Sequence, residues 1–122
     1  MTFAALRAAG VRTLVLLDPP EMNYPVPNCL YFRFDRLDSC GISRADYERD
    51  YAQIAAVFRR VAAEGPLVRV FDPVDYFCDV QHCGVLDSAG APALVDEDHV
   101  SRSAAVALAP QLQADFDWLL GR

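Results

Sequence analysis

The hydrophobic pattern falls into short continuous runs joined by one long helical stripe, and together they predict a strand, a helix and a second strand. Val11 to Leu17 is a mainly apolar run with β-branched members, broken near its start by Arg12 and Thr13, as expected of a strand buried on both faces of a parallel sheet. Ahead of it, Thr2 to Ala9 reads as the tail of a helix stopped by Gly10, and Asp18-Pro19-Pro20 ends the strand. Ser43, three residues before Asp46, predicts an N-cap. Apolar residues then recur at Tyr47, Tyr51, Ile54, Phe58 and Val61, which share one helix face, with Arg49, Arg59 and Arg60 outward and Gly65-Pro66 closing the helix. Leu67 to Phe71 predicts the second strand. Such a crossover unit sets its strands parallel, and open α/β sheets bind ligands beyond the carboxyl ends of their strands.

The remaining segments are less periodic. Glu21 to Gly41 carries prolines at 25 and 27 and the aromatics Tyr24, Tyr31, Phe32 and Phe34, which predicts a long ordered loop packed over the domain. Loops of this length are often functional, and a purely structural Ω-loop is the open alternative. Val85-Leu86 and Ala91 to Val95 around Asp87-Ser88-Ala89-Gly90 predict a small hairpin. A final helix starts near Ser101 with Ala105, Leu108, Leu112, Phe116 and Leu119 on one face. Pro110 inside it predicts a kink or a restart, because proline removes a backbone hydrogen bond and clashes with the preceding turn.

With 122 residues, the length fits one domain, and 53% hydrophobic with 23% charged residues fits a packed core. The net charge is -6, and all 11 basic residues are arginine. No basic cluster is present to neutralise phosphates, which excludes nucleic acid as a partner. No apolar run reaches the roughly 18 residues needed to cross a bilayer. Met1 to Gly10 lacks the layout of a signal peptide, so export would depend on sequence upstream of this chain.

Four cysteines lie as neighbours in two pairs, Cys29 with Cys40 and Cys78 with Cys83. An even count points to disulfides and an oxidising compartment, with three connectivities possible and the local one favoured by chain entropy. Four reduced, buried thiols are the alternative.

Asp96 and His99 carry the candidate chemistry, in the run Val95-Asp96-Glu97-Asp98-His99-Val100-Ser101 just before the last helix. A carboxylate that accepts from a histidine Nδ1–H fixes its tautomer and stabilises the imidazolium, leaving Nε2 to take a proton from a hydroxyl nucleophile. The plainer alternative is a set of acids favoured near a helix N-terminus with an exposed histidine beside them.

Several segments together resemble the C-terminal part of the SGNH hydrolase domain attached to acyltransferase family 3 membrane proteins. Leu16-Leu17-Asp18-Pro19-Pro20-Glu21 with Val26-Pro27-Asn28-Cys29-Leu30 looks like that family's strand, proline loop and first cysteine. Phe77-Cys78 through Cys83, then Gly90 to Leu94, looks like its second cysteine pair and hairpin. Asp96 to Ser101, with Ala104-Ala105 and Leu108 to Leu112, looks like its Asp-x-x-His-Leu-Ser block and terminal helix. Val100 stands where leucine is usual and Ser103-Ala104 where Gly-Ala is usual, and neither departure touches the acid or base.

The resemblance implies a partial flavodoxin-like, three-layer α/β fold over residues 1–122, with parallel strands flanked by helices, a small hairpin and a C-terminal helix. It makes Asp96 the triad acid and His99 the triad base, and it supports disulfides Cys29 to Cys40 and Cys78 to Cys83. It implies no cofactor and no resident metal. Its setting is the extracytoplasmic face of a bacterial membrane, where a membrane domain supplies an acyl group for a sugar hydroxyl of a surface polysaccharide. The family's nucleophile lies in a Gly-Asp-Ser motif and its oxyanion donors in later blocks, and this sequence contains neither Gly-Asp-Ser nor Gly-x-Asn. Ser101 is better explained as an N-cap than as a nucleophile. The expectation is therefore the C-terminal half of an SGNH domain, inactive alone and prone to self-association through its incomplete sheet.

Two other readings stay open. The chain could be a non-catalytic module that binds a glycan or partner through Tyr24, Tyr31, Phe32 and Phe34. Alternatively, Cys78, His82, Cys83 and His99 could form a zinc site, since thiolate and imidazole suit that metal.

Overall fold

The computed structural model describes residues 2–33 and 36–122. In chain order the elements are α1 (Phe3–Ala8), β1 (Thr13–Leu16), α2 (Val26–Phe32), a 3-10 turn (Leu37–Cys40), β2 (Ile42–Ser43), α3 (Arg44–Ala63), β3 (Val68–Phe71), α4 (Val74–Phe77), β4 (His82–Cys83) and α5 (Arg102–Leu120). The fold is mixed α/β, with a small parallel sheet flanked by helices.

β1 and β3 pair in parallel, Thr13 opposite Val68 and Leu16 opposite Phe71, and α3 makes the crossover between them. The helix starts where the sequence marks it. The Ser43 hydroxyl accepts from the Asp46 N–H at 3.0 Å and donates to the Asp46 carboxylate at 2.7 Å. Val15 shares a hollow with Tyr51 and Phe58 of α3, whereas Arg69, opposite Leu14 in the register, reaches Asp115 of α5 at 3.2 Å. Neighbouring strand residues face opposite ways, so α3 and α5 cover the two faces of the sheet.

The densest core lies beside this sheet. Val26, Cys40, Cys83 and Leu94 are fully buried there, with Met22, Tyr47, Phe77 and Ala104 packed around them. Disulfide Cys29–Cys40 ties α2 to the 3-10 turn and Cys78–Cys83 closes the loop after α4. Chain-entropy arguments give them about 3 and 2 kcal/mol of stabilisation respectively. The short antiparallel ladder of β2 with β4 joins the two disulfides, Ile42 facing Cys83.

Several expectations need correction. β1 is not fully buried although α3 and α5 lie over the two faces of the sheet: with β3 as its one partner among the described residues it has an open edge, none of its residues is fully buried, and Leu16 is 53% exposed. The segment expected to be a loop contains α2, because Pro27 falls in the first turn, where a missing N–H costs no helical hydrogen bond. Its aromatics do not pack over the domain either, for Tyr31 is 78% and Phe32 75% exposed and Tyr24 is exposed; Phe34 lies outside the described residues. In α3, Ile54 is 49% exposed and Ala55 is buried in its stead.

Helix α5 also turns a slightly different face inward, burying Ala104 and Leu108 and leaving Ala105 and Phe116 exposed. It runs through Pro110 as one element without a restart. The expected hairpin is held by a bridge between Leu86 and Pro92 and by hydrogen bonds from Asp87 N–H to Ala91 O (2.8 Å) and Ala93 N–H to Val85 O (2.8 Å).

Candidate functional site

The run from Val95 to His99 folds into a tight turn. The Val95 N–H donates to the His99 carbonyl at 2.8 Å, Leu94 bridges Val100, and the Ser101 N–H donates to Ala93 O at 2.9 Å. Leu94 anchors one side of the turn in the core. The other side is held by the chain that follows β1: Met22 N–H donates to Glu97 O at 2.8 Å and Val26 N–H to Asp96 O at 3.1 Å. Both Met22 and Val26 are buried, so the turn is fixed to the core from two directions.

Within the turn the Asp96 carboxylate does three jobs. Its Oδ1 accepts from the His99 N–H at 2.8 Å and the Asp98 N–H at 3.1 Å, and the same group receives the imidazole, with Nδ1 at 2.9 Å from Oδ2 and 3.1 Å from Oδ1. The backbone donors, His99 first, hold the Asp96 carboxyl down to about 2, from an ordinary 3.8. Asp96 hydrogen-bonding pushes the His99 imidazole above its ordinary 6.5, helped by Asp98, whose Oδ1 is 2.8 Å from Nδ1. With Nδ1 engaged by two carboxylates, Nε2 is the ring nitrogen left for chemistry, and no hydrogen bond to it is made among the described residues.

His99, 73% exposed, lines an open cleft of about 780 Å³ with Asp18, Glu21, Tyr47 and Tyr51. Asp18 and Glu21 follow the carboxyl end of β1, so the imidazole sits at the end of the sheet where open α/β folds place ligands. The sequence pattern assigned Tyr47 and Tyr51 to the core stripe and missed their second role as cleft wall. The available signal was Asp18-Pro19-Pro20-Glu21, an acidic turn immediately after a parallel strand.

The other candidates resolve differently. Ser101 Oγ accepts from the Ala104 N–H at 3.2 Å, which is a helix cap, and lies 3.1 Å from Ser103 Oγ. Cys78 and Cys83 are joined to each other and carry no free thiolate, which rules out the zinc set with His82 and His99. His82 instead places Nε2 3.1 Å from the Asp38 carbonyl. Asp96, Asp98 and His99 present three potential metal-ligand atoms within 4.8 Å, all from the turn already described.

No helix among the described residues is long and apolar enough to cross a membrane. No curated protein and no solved structure matches the chain at a significant level. The family described as the SGNH domain fused to AT3 domains matches residues 1–114, nearly the whole length. Such domains are of acyltransferase and hydrolase type and are extracytoplasmic, a setting that the two disulfides fit. On that match the chain belongs to the family of SGNH domains fused to AT3 domains.

Proposed function

We propose that the chain supplies the acid and base of an acyl-transfer or ester-hydrolysis site, with Asp96 as acid and His99 as base. The serine comes from a Gly-Asp-Ser block that this sequence does not contain, which makes the chain the C-terminal portion of one SGNH domain. The observation that supports this most is the engagement of Nδ1 by Asp96 at 2.9 Å, with Nε2 left for a nucleophile beside an open cleft.

In the first half-reaction, His99 Nε2 takes the serine proton as the oxygen attacks the acyl carbonyl, and returns it to the leaving group as the acyl-serine forms. In the second, a sugar hydroxyl gives its proton to Nε2 and attacks the acyl-serine, and the imidazolium reprotonates the serine. The acyl group comes from an AT3 membrane domain and the acceptor is a surface polysaccharide, outside the cytoplasm. O-acetylation is the reaction of choice.

A second reading is favoured by the exposed rings of Tyr31 and Phe32, which stack edge to face at 4.9 Å. A glycan- or partner-binding module of the same fold would use them without chemistry. Complementation separates the two. The isolated chain hydrolyses an aryl acetate no faster than free imidazole, and joining it to a Gly-Asp-Ser block of the same family gives serine-dependent turnover. Turnover that never appears on joining supports the binding module instead, and fluorophosphonate labelling of Ser101 or Ser103 in the isolated chain overturns the half-site reading.

A further inference from the structure

The cleft beside His99 carries a charge pattern that bears on which sugar it accepts. Asp18, Glu21, Asp50 and Asp98 line it, and among the described residues no arginine does. They come from the loop after β1, from α3 and from the site turn, yet they converge: burial pushes the Tyr51 hydroxyl up, and each of these four carboxylates pushes it further. Part of this charge is offset, since Asp50 meets Arg49 at 3.0 Å and Asp98 meets His99 at 2.8 Å. Asp18 and Glu21 make no ion pair among the described residues. Arg44 and Arg59 of α3 line a separate hollow across the stacked rings of Tyr47 and Tyr51, where Glu48, Asp75 and Asp72 hold them.

We infer that the glycan acylated here carries no anionic group on the reacting sugar, so that uronate and phosphorylated units are rejected and neutral or amino-bearing ones accepted. The inference rests on the acyl-transfer reading above and adds the substrate's charge to it. Sugar hydroxyls donate well to carboxylates, and such charge-assisted bonds are stronger than neutral ones. A second carboxylate or a phosphate entering the same cleft meets like charge in a concave wall that focuses the field.

The test uses the complete SGNH domain, this chain together with its Gly-Asp-Ser block, and compares hydrolysis of an O-acetylated methyl glucoside with that of the matching O-acetylated methyl glucuronide. The expected kcat/KM favours the glucoside by about tenfold at low ionic strength. In 1 M salt, where screening acts over roughly 3 Å, the ratio collapses toward unity in the unaltered protein. The Asp18→Asn, Glu21→Gln pair narrows it in low salt. Equal rates on both esters at low salt overturn the inference and leave acyl transfer standing. Absence of turnover on either ester and on an aryl acetate overturns acyl transfer itself, and the inference with it.

Discussion

The carboxylate of Asp96 binds His99 twice, through the backbone N–H at 2.8 Å and through Nδ1 at 2.9 Å. Four residues of chain, Asp96 to His99, thus fix both the position and the proton of the imidazole. The Asp96 carboxyl is held down to about 2 and the His99 imidazole is raised above 6.5, so the pair is ionised together across a wide range. The signs follow from linkage. Stability from His99 is fully present below its unfolded value and is lost as pH rises through the raised folded value; stability from Asp96 is present above 3.8 and is lost as pH falls toward 2. Asp96→Asn therefore lowers the His99 midpoint toward 6.5 in an NMR titration and flattens the stability profile between pH 3.8 and about 2. In the unaltered chain above the midpoint, ring ¹⁵N shifts show Nδ1 protonated and Nε2 bare. An Nε2–H tautomer contradicts the geometry.

At the opposite end of the sheet, the Arg69 guanidinium lies 4.5 Å from the Trp118 ring centroid, and Arg12 donates to the Trp118 carbonyl at 2.6 Å. These contacts clamp the end of α5 onto the strands. Arg69→Ala costs about 1 kcal/mol through the lost cation–π contact. Trp118→Ala costs about 2 kcal/mol, below the roughly 3–5 kcal/mol of a fully buried aromatic because the Trp118 ring is only partly buried. Denaturation followed by circular dichroism checks both, and an unshifted midpoint for Trp118→Ala shows the clamp to be idle.

The exposed apolar residues Leu16, Ile54, Val57, Phe116 and Leu120 leave the chain with surface that a two-stranded sheet cannot cover. Light scattering of the purified chain should show dimers or larger species with concentration dependence, relieved when the Gly-Asp-Ser block is joined. A compact monomer with a sharp, cooperative melt contradicts this.

Much of this was legible in the sequence where local rules act alone. Ser43 and Asp46 mark the start of α3, the apolar runs mark β1 and β3, and the parallel pairing follows from the crossover. Burial was less legible, because it depends on partners. Ile54 and Leu16 are apolar as a core requires but line an open hollow between α3 and β1 and stay about half exposed, since two strands spaced about 4.8 Å apart cannot span a 20-residue helix of roughly 30 Å. Helix α2 was hidden by reading Pro25 and Pro27 as breakers when both precede the point at which a helix needs proline-free donors. At the site, the spacing of Asp96 and His99 told of a possible pair. The cleft did not show, because Asp18, Tyr51 and His99 meet only after the chain has folded around α3.

The role of His99 is read out by the rate of the complete domain with and without its imidazole. Joined to a Gly-Asp-Ser block, the chain should turn over an aryl acetate in a serine-dependent way, and His99→Ala should lower kcat/KM by about 10⁴-fold or more, as expected for a base that works as a unit with its serine. A His99→Ala domain that retains kcat/KM within a few-fold of the parent contradicts the assignment of His99 as the base.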